Sequence, residues 1–144
     1  MIYIDSSSLL KTIWHEQESI EVIEAIALEE SVIVSSLTEL ETLIQLKGAF
    51  LGGDYSRSQW KRFEAELTSL RSQTPYEFRP VTANFFKTAL RQHKNSGNIH
   101  CRGLDRLHLA TMEDLNITRL MTHDRGQAKA AREAGFTVIQ PGQV

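Results

Sequence analysis

Residues 1–10 read MIYIDSSSLL: a short apolar run, then an aspartate and three serines, then the start of an apolar stripe. Ile2 to Ile4 has the β-branched and aromatic make-up of a buried strand. Leu9, Leu10, Ile13 and Trp14 recur at helical spacing, and any of Ser6 to Ser8 supplies the hydroxyl that caps such a helix. A strand that passes straight into a helix opens an α/β chain, and it leaves Asp5 at the strand's carboxyl end.

The alternation continues. Ile20, Ile23, Ile26 and Ala27 form a second helical stripe ending near Glu29 and Glu30, and SVIVSS (31–36) is a β-branched strand followed by the helical LTELETLIQL (37–46). GGDYS (52–56) reads as a loop, and Trp60, Phe63, Leu67 and Leu70 mark a long amphipathic helix. Glu77 to Val81 is a short extended piece that Pro80 disfavours as a central strand. Helices are expected over 84–94 and 104–115, a strand at RLMT (119–122), a helix at AKAAREA (128–134) stopped by Gly135, and a last strand at FTVI (136–139). Strands alternating with helices need crossover connections, which are right-handed and cover both faces of a parallel sheet. The expected architecture is a three-layer α/β/α sandwich around a mostly parallel sheet, in a single domain over 1–144.

Apolar residues make up 41% and charged residues 24% of the chain, which are globular proportions, and no repeat or low-complexity tract interrupts them. No segment approaches the roughly 18 consecutive apolar residues of a membrane span. Met1 leads directly into the strand with no basic n-region, and the lone Cys101, read as an inert small side chain, cannot build a disulfide framework. A soluble, cytoplasmic protein is expected. The net charge of −2 argues against a general cationic coat, yet residues 1–46 hold nine acids with Lys11 as their only base, and 55–102 hold nine bases against Glu64, Glu66 and Glu77. The basic segment reads either as solvated helix faces or as a local surface that tracks a nucleic-acid backbone.

In a parallel α/β sheet, ligands sit at the carboxyl ends of the strands. Two such ends carry acids: Asp5 closes the first strand, and Asp124 follows RLMT by one residue, His123. Either alone serves equally well as a helix cap; two on one edge favour a site. Asp105 opens LDRLHLATM three residues before His108, so the two share a helix face, and His108 by default is a packed, hydrogen-bonded residue. Glu39 and Glu41 both lie in the helix after SVIVSS, and periodicity does not choose between them. Carboxylates gathered within a few ångströms raise one another's pKa unless a cation is present. All-oxygen donors without a cysteine pair favour Mg²⁺ or Mn²⁺ over zinc, and such a site suits metal-assisted phosphodiester hydrolysis.

YIDSS (3–7), SSLTELE (35–41), LDRLHLA (104–110) and MTHD (121–124), in that order, resemble the PIN-domain family, and within it the VapC-type ribonuclease toxins of prokaryotic toxin–antitoxin pairs. The resemblance implies a fold of parallel strands and helices, endonucleolytic cleavage of RNA with Mg²⁺ or Mn²⁺, frequent dimerisation, and inhibition by a cognate antitoxin peptide. It implies an acidic quartet of Asp5, Glu41, Asp105 and Asp124, with Glu41 matching the acid of the SSL-x-x-x-E run. Ser7 and Thr122 match supporting hydroxyl positions, and His108 matches a third-motif residue taken as structural. The resemblance departs at Gly126 and Gln127, where the family often carries a further acid.

Other readings fit less well. A phosphotransferase with Asp5 as nucleophile wants a second aspartate two residues on, where this chain has Ser7. GGD (52–54) lacks the Gly-Lys-Ser/Thr of a phosphate loop, and no G-x-S-x-G elbow is present. A non-catalytic PIN-like adaptor for RNA or protein has no need of four mutually repelling acids. Tyr55, Trp60 and Tyr76 are candidates for stacking on RNA bases or for packing, with Trp60 expected in the core.

Overall fold

The structure, a computed structural model, describes residues 1–143; Val144, the last residue of the expected 1–144 domain, lies outside them. Strands β1 (Ile2–Ile4), β2 (Val32–Ser35), β3 (Tyr76–Arg79), β4 (Arg119–Met121) and β5 (Thr137–Ile139) form one sheet in the order β3-β2-β1-β4-β5, and every neighbouring pair is parallel. Helices α1 (Ser6–Ile13), α2 (Ser19–Ala27), α3 (Ser36–Leu51), α4 (Arg57–Ser69), α5 (Phe85–Asn95), α6 (Gly103–Asp114) and α7 (Arg125–Glu133) supply the connections.

The strands are apolar throughout because both faces of the sheet are covered, and their period of two divides the core into halves. Ile2 and Ile4 enter one half with Val32, Val34 and Met121, where Leu9 of α1, Val22 of α2, Leu46 of α3 and Phe63 of α4 close over them. Tyr3, Ile33 and Leu120 enter the other half, against Leu109 and Met112 of α6 and Ala130 and Ala131 of α7. All eight strand residues named are fully buried. Each such aliphatic side chain removed from water contributes about 1.5–3 kcal/mol before chain entropy is set against it. The three-layer expectation and the parallel sheet are both observed.

Where elements differ from expectation, the cause is local. The cap of α1 is Asp5 rather than a serine: Asp5 is extended (φ −93°, ψ 175°) and its carboxylate accepts from the Ser8 backbone N–H at 3.3 Å, while Ser6 to Ser8 are already helical. Asp124 caps α7 in the same way, accepting from Gln127 N–H at 2.9 Å, and so starts that helix three residues ahead of its alanine stripe. Helix α3 runs on to Leu51, well past the expected 46. The Tyr76–Arg79 strand lies at the sheet edge, where Pro80 just beyond it disrupts no pairing.

From β1 the chain builds outward to β2 and β3, then returns to place β4 on the other side of β1. The strand order therefore reverses between β1 and β4, and a crevice opens at the carboxyl ends of those two strands. Asp5 and Asp124 stand on its two sides.

Candidate functional site

A cleft of about 990 Å³ lies at this reversal, and Asp5, Glu41, Asp105 and Asp124 all line it. They come from four places in the fold: the end of β1, the second turn of α3, the first turn of α6, and the residue before α7. Asp5 is the deepest, 5% exposed, and burial pushes its carboxyl above the usual carboxylate range. Two hydroxyls oppose that push: Ser7 Oγ donates to Oδ1 at 2.6 Å and Thr122 Oγ1 to Oδ2 at 2.5 Å. Thr122 Oγ1 in turn accepts from the Asp124 backbone N–H at 3.1 Å, and Ser7 Oγ from that of His123 at 2.8 Å. The two hydroxyls thus tie the ends of β1 and β4 together around one carboxylate.

Arg102 crosses the mouth of the cleft. Its Nε donates to Asp105 Oδ2 at 2.9 Å and its Nη2 to Asp124 Oδ2 at 2.7 Å, so a single guanidinium spans two acids that lie 19 positions apart in the numbering. The two carboxylates, Asp105 first, hold the guanidinium in its charged form. Asp105 is only 9% exposed, and its backbone carbonyl accepts from Gln127 Nε2 at 3.1 Å, which fixes α6 against α7. Gln127, where the resemblance leads one to look for a further acid, is fully buried; its Nε2 makes this contact and its Oε1 has no hydrogen-bond partner among the described residues.

Glu41 faces the cleft and is hydrogen-bonded to Nε2 of His108, a buried residue of α6. A carboxylate only accepts, so Nε2 carries a proton, and the other ring nitrogen, Nδ1, is hydrogen-bonded to the Tyr3 hydroxyl 2.6 Å away. The Tyr3 oxygen also lies 2.6 Å from Ser35 Oγ. Glu39, two residues earlier, turns outward and pairs with Arg71 at 2.5 Å. The side chains separate two acids that periodicity leaves equivalent.

The donor set is all oxygen and acidic, which is the chemistry of a hard divalent cation, and the room between Asp105 and Asp124 already accommodates a cationic group. The residues present therefore fit such an ion in kind. Among the described residues, however, no three His, Cys, Asp or Glu side chains converge closely enough to hold one. Three of the four acids are turned toward Arg102 or His108, and the fourth toward Ser7 and Thr122.

Of the nine bases in 55–102, Arg102 is the one that lines the cleft among the described residues. Its place three residues before Asp105 was the available signal, since that spacing puts both on one side of a helix start. The wall opposite is apolar and exposed: Phe86 (62%) and Leu90 (62%) on α5 with Leu104 (51%) on α6. The three aromatics singled out in the sequence are engaged elsewhere. Trp60 is 7% exposed and stacks on Phe50 at 4.6 Å, Tyr55 stacks on Trp14 at 5.8 Å, and Tyr76 packs against the same core. Burial pushes the Cys101 thiol up, so it stays protonated and a poor nucleophile.

The sequence profile of the PIN domain matches residues 2–133. No curated protein matches the chain in sequence. Similar solved structures include VapC20 of Mycobacterium tuberculosis, a toxin that cleaves the sarcin-ricin loop, at 17% identity and TM-score 0.72, covering 98% of this chain and all of that one. VapBC2 from Rickettsia felis, bound to a DNA fragment from its promoter, aligns at 15% identity and TM-score 0.69 over 96% of this chain and 98% of that one. FitAcB from Neisseria gonorrhoeae aligns at 15% identity and TM-score 0.66 over the whole of both chains. At these identities the likeness is one of fold.

Proposed function

This chain belongs to the PIN domain family, and from that premise we propose that it is a single-domain, metal-dependent endoribonuclease, the toxin of a toxin–antitoxin pair. The observation that carries the reading is that four carboxylates from four separate elements line one cleft at the point where the strand order reverses. Asp5, Glu41, Asp105 and Asp124 are the residues that would hold Mg²⁺ or Mn²⁺. A divalent ion there supplies Lewis acidity toward a phosphate oxygen and an attacking water.

The chain's own part is to position and to exclude. Ser7 and Thr122 orient the Asp5 carboxylate, each by a hydroxyl that is itself anchored by a backbone N–H. Tyr3 and His108 hold Glu41 toward the cleft. The apolar wall of Phe86, Leu90 and Leu104 leaves beside the acids a surface on which an unstacked base or an antitoxin segment would rest. Leu40, Ile44 and Leu51 lie exposed on α3 and suit a second copy of the chain. Among the described residues no helix is long and apolar enough to cross a membrane, and a cytoplasmic setting accords with an RNA substrate.

The test is cleavage of a mixed cellular RNA pool, transfer RNA included, by the purified protein with Mg²⁺, with Mn²⁺ and with chelator, beside Asp5→Asn. Discrete, metal-requiring fragments that vanish in the variant are expected; full activity in Asp5→Asn would sink the assignment. One observation favours a second reading, a non-catalytic PIN-like adaptor for RNA or protein: the carboxylates do not converge in threes. Absence of cleavage with every metal, in folded protein free of a partner, would transfer the assignment to that reading.

A further inference from the structure

Arg102 occupies the acidic cleft in a way that conflicts with a metal ion there. Its fork takes up Oδ2 of Asp105 and Oδ2 of Asp124 at once, at 2.9 and 2.7 Å, while Asp124 Oδ1 is engaged by the Gln127 N–H, so a divalent ion placed between the two acids competes with the guanidinium for them. Two further facts bear on how firmly it holds. The side chain is 62% exposed, and its hydrogen bonds to other side chains are these two. The guanidinium is readily solvated on release, so on its side the pair costs little to open, although Asp105 is nearly buried. Arg102 also sits at the N-cap position of α6, so it can swing out about its side-chain torsions without disturbing the helix or the core.

We propose that Arg102 is a built-in, displaceable counter-cation: it clamps Asp105 and Asp124 in the metal-free protein, must leave them for a divalent ion to bind, and so sets the metal concentration at which the site fills. This rests on the reading above, that these acids form the metal site. With the clamp in place the pair carries a net charge of −1; without it, −2 and two free oxygens. A divalent ion gains on both counts when Arg102 is absent. Arg102 is a regulator of occupancy in this scheme and takes no part in the chemistry.

The experiment is titration of Mn²⁺ into the full chain, followed by electron paramagnetic resonance of the free ion, for the unaltered protein, Arg102→Gln and Arg102→Lys. Arg102→Gln, which removes the charge, is expected to tighten Mn²⁺ binding at least threefold. Arg102→Lys, which keeps the charge but cannot span both acids, is expected to fall between. The metal concentration for half-maximal RNA cleavage should drop in the same order. Equal or weaker Mn²⁺ binding in Arg102→Gln, with binding intact in the unaltered protein, overturns the clamp and leaves the metal site standing. No binding in any of the three overturns both.

Discussion

The hydroxyl of Tyr3 and Nδ1 of His108, 105 positions apart, share a 2.6 Å hydrogen bond between β1 and α6, and the far side of the same imidazole meets Glu41. Tyr3 and His108 are fully buried, so a strand residue facing the core fixes which ring nitrogen is presented to a carboxylate in the cleft. Tyr3→Phe removes one oxygen and leaves His108 Nδ1 and Ser35 Oγ short of a partner. A loss of about 1–3 kcal/mol is expected, read as a lower urea midpoint with unchanged slope, together with reduced RNA cleavage. Unchanged stability would mean that water replaces the hydroxyl.

Glu39 and Glu41 make a paired test, because they are two residues apart on one helix and face different surroundings. Glu41→Gln is expected to lower cleavage at least tenfold, whereas Glu39→Gln, which disturbs only the surface pair with Arg71, should leave it within twofold. Equal effects in a cleavage assay would remove Glu41 from the site.

Trp60 packs flat on Phe50 and is nearly sealed from solvent, with Lys61 4.1 Å above its ring. Trp60→Ala opens a cavity under α4 and is expected to cost about 3–5 kcal/mol in denaturant unfolding. Below the melting temperature of the variant, its affinity for single-stranded RNA should not change; a selective loss of RNA binding with stability intact would restore the stacking role.

Glu29 accepts from Arg119 at 2.8 Å at the foot of β4, and this bond holds its carboxyl below the usual range. A carboxyl lowered by folding stabilises the protein fully above its unfolded value, near pH 4.3, and that contribution is lost as pH falls through the lower folded value. Glu29→Gln should therefore lower the melting temperature at pH 7 and lose less on acidification to pH 4 than the unaltered protein. A parallel pH dependence of the two melting temperatures would show that the pair contributes nothing.

Much of the architecture was legible in local patterns. IYI and SVIVSS are strands because their β-branched and aromatic side chains fit a sheet buried on both faces, and the stripes after them are helices because apolar residues return every turn. The acids at the ends of β1 and β4 were visible for the same reason, since a strand end is where a polar residue first reaches solvent in such a sheet. Asp5 and Asp124 each cap a helix and also line the cleft, since a carboxylate that accepts from a first-turn N–H has further lone pairs.

Other features needed the chain to be closed. Spacing leaves Glu39 and Glu41 alike because each has apolar residues at helical spacing, Leu37 and Ile44 for Glu41 and Leu43 and Leu46 for Glu39, and the difference arises only when α6 brings His108 to one and the turn after α4 brings Arg71 to the other. Arg102 was one of nine bases in a run; the crossover that carries the chain from β3 past β1 to β4 places it between two acids. Local sequence determines which residues line a strand or a helix face, because that depends on backbone period alone. Which charges meet depends on contacts between segments dozens of residues apart, and only the packed sheet and its helices decide those.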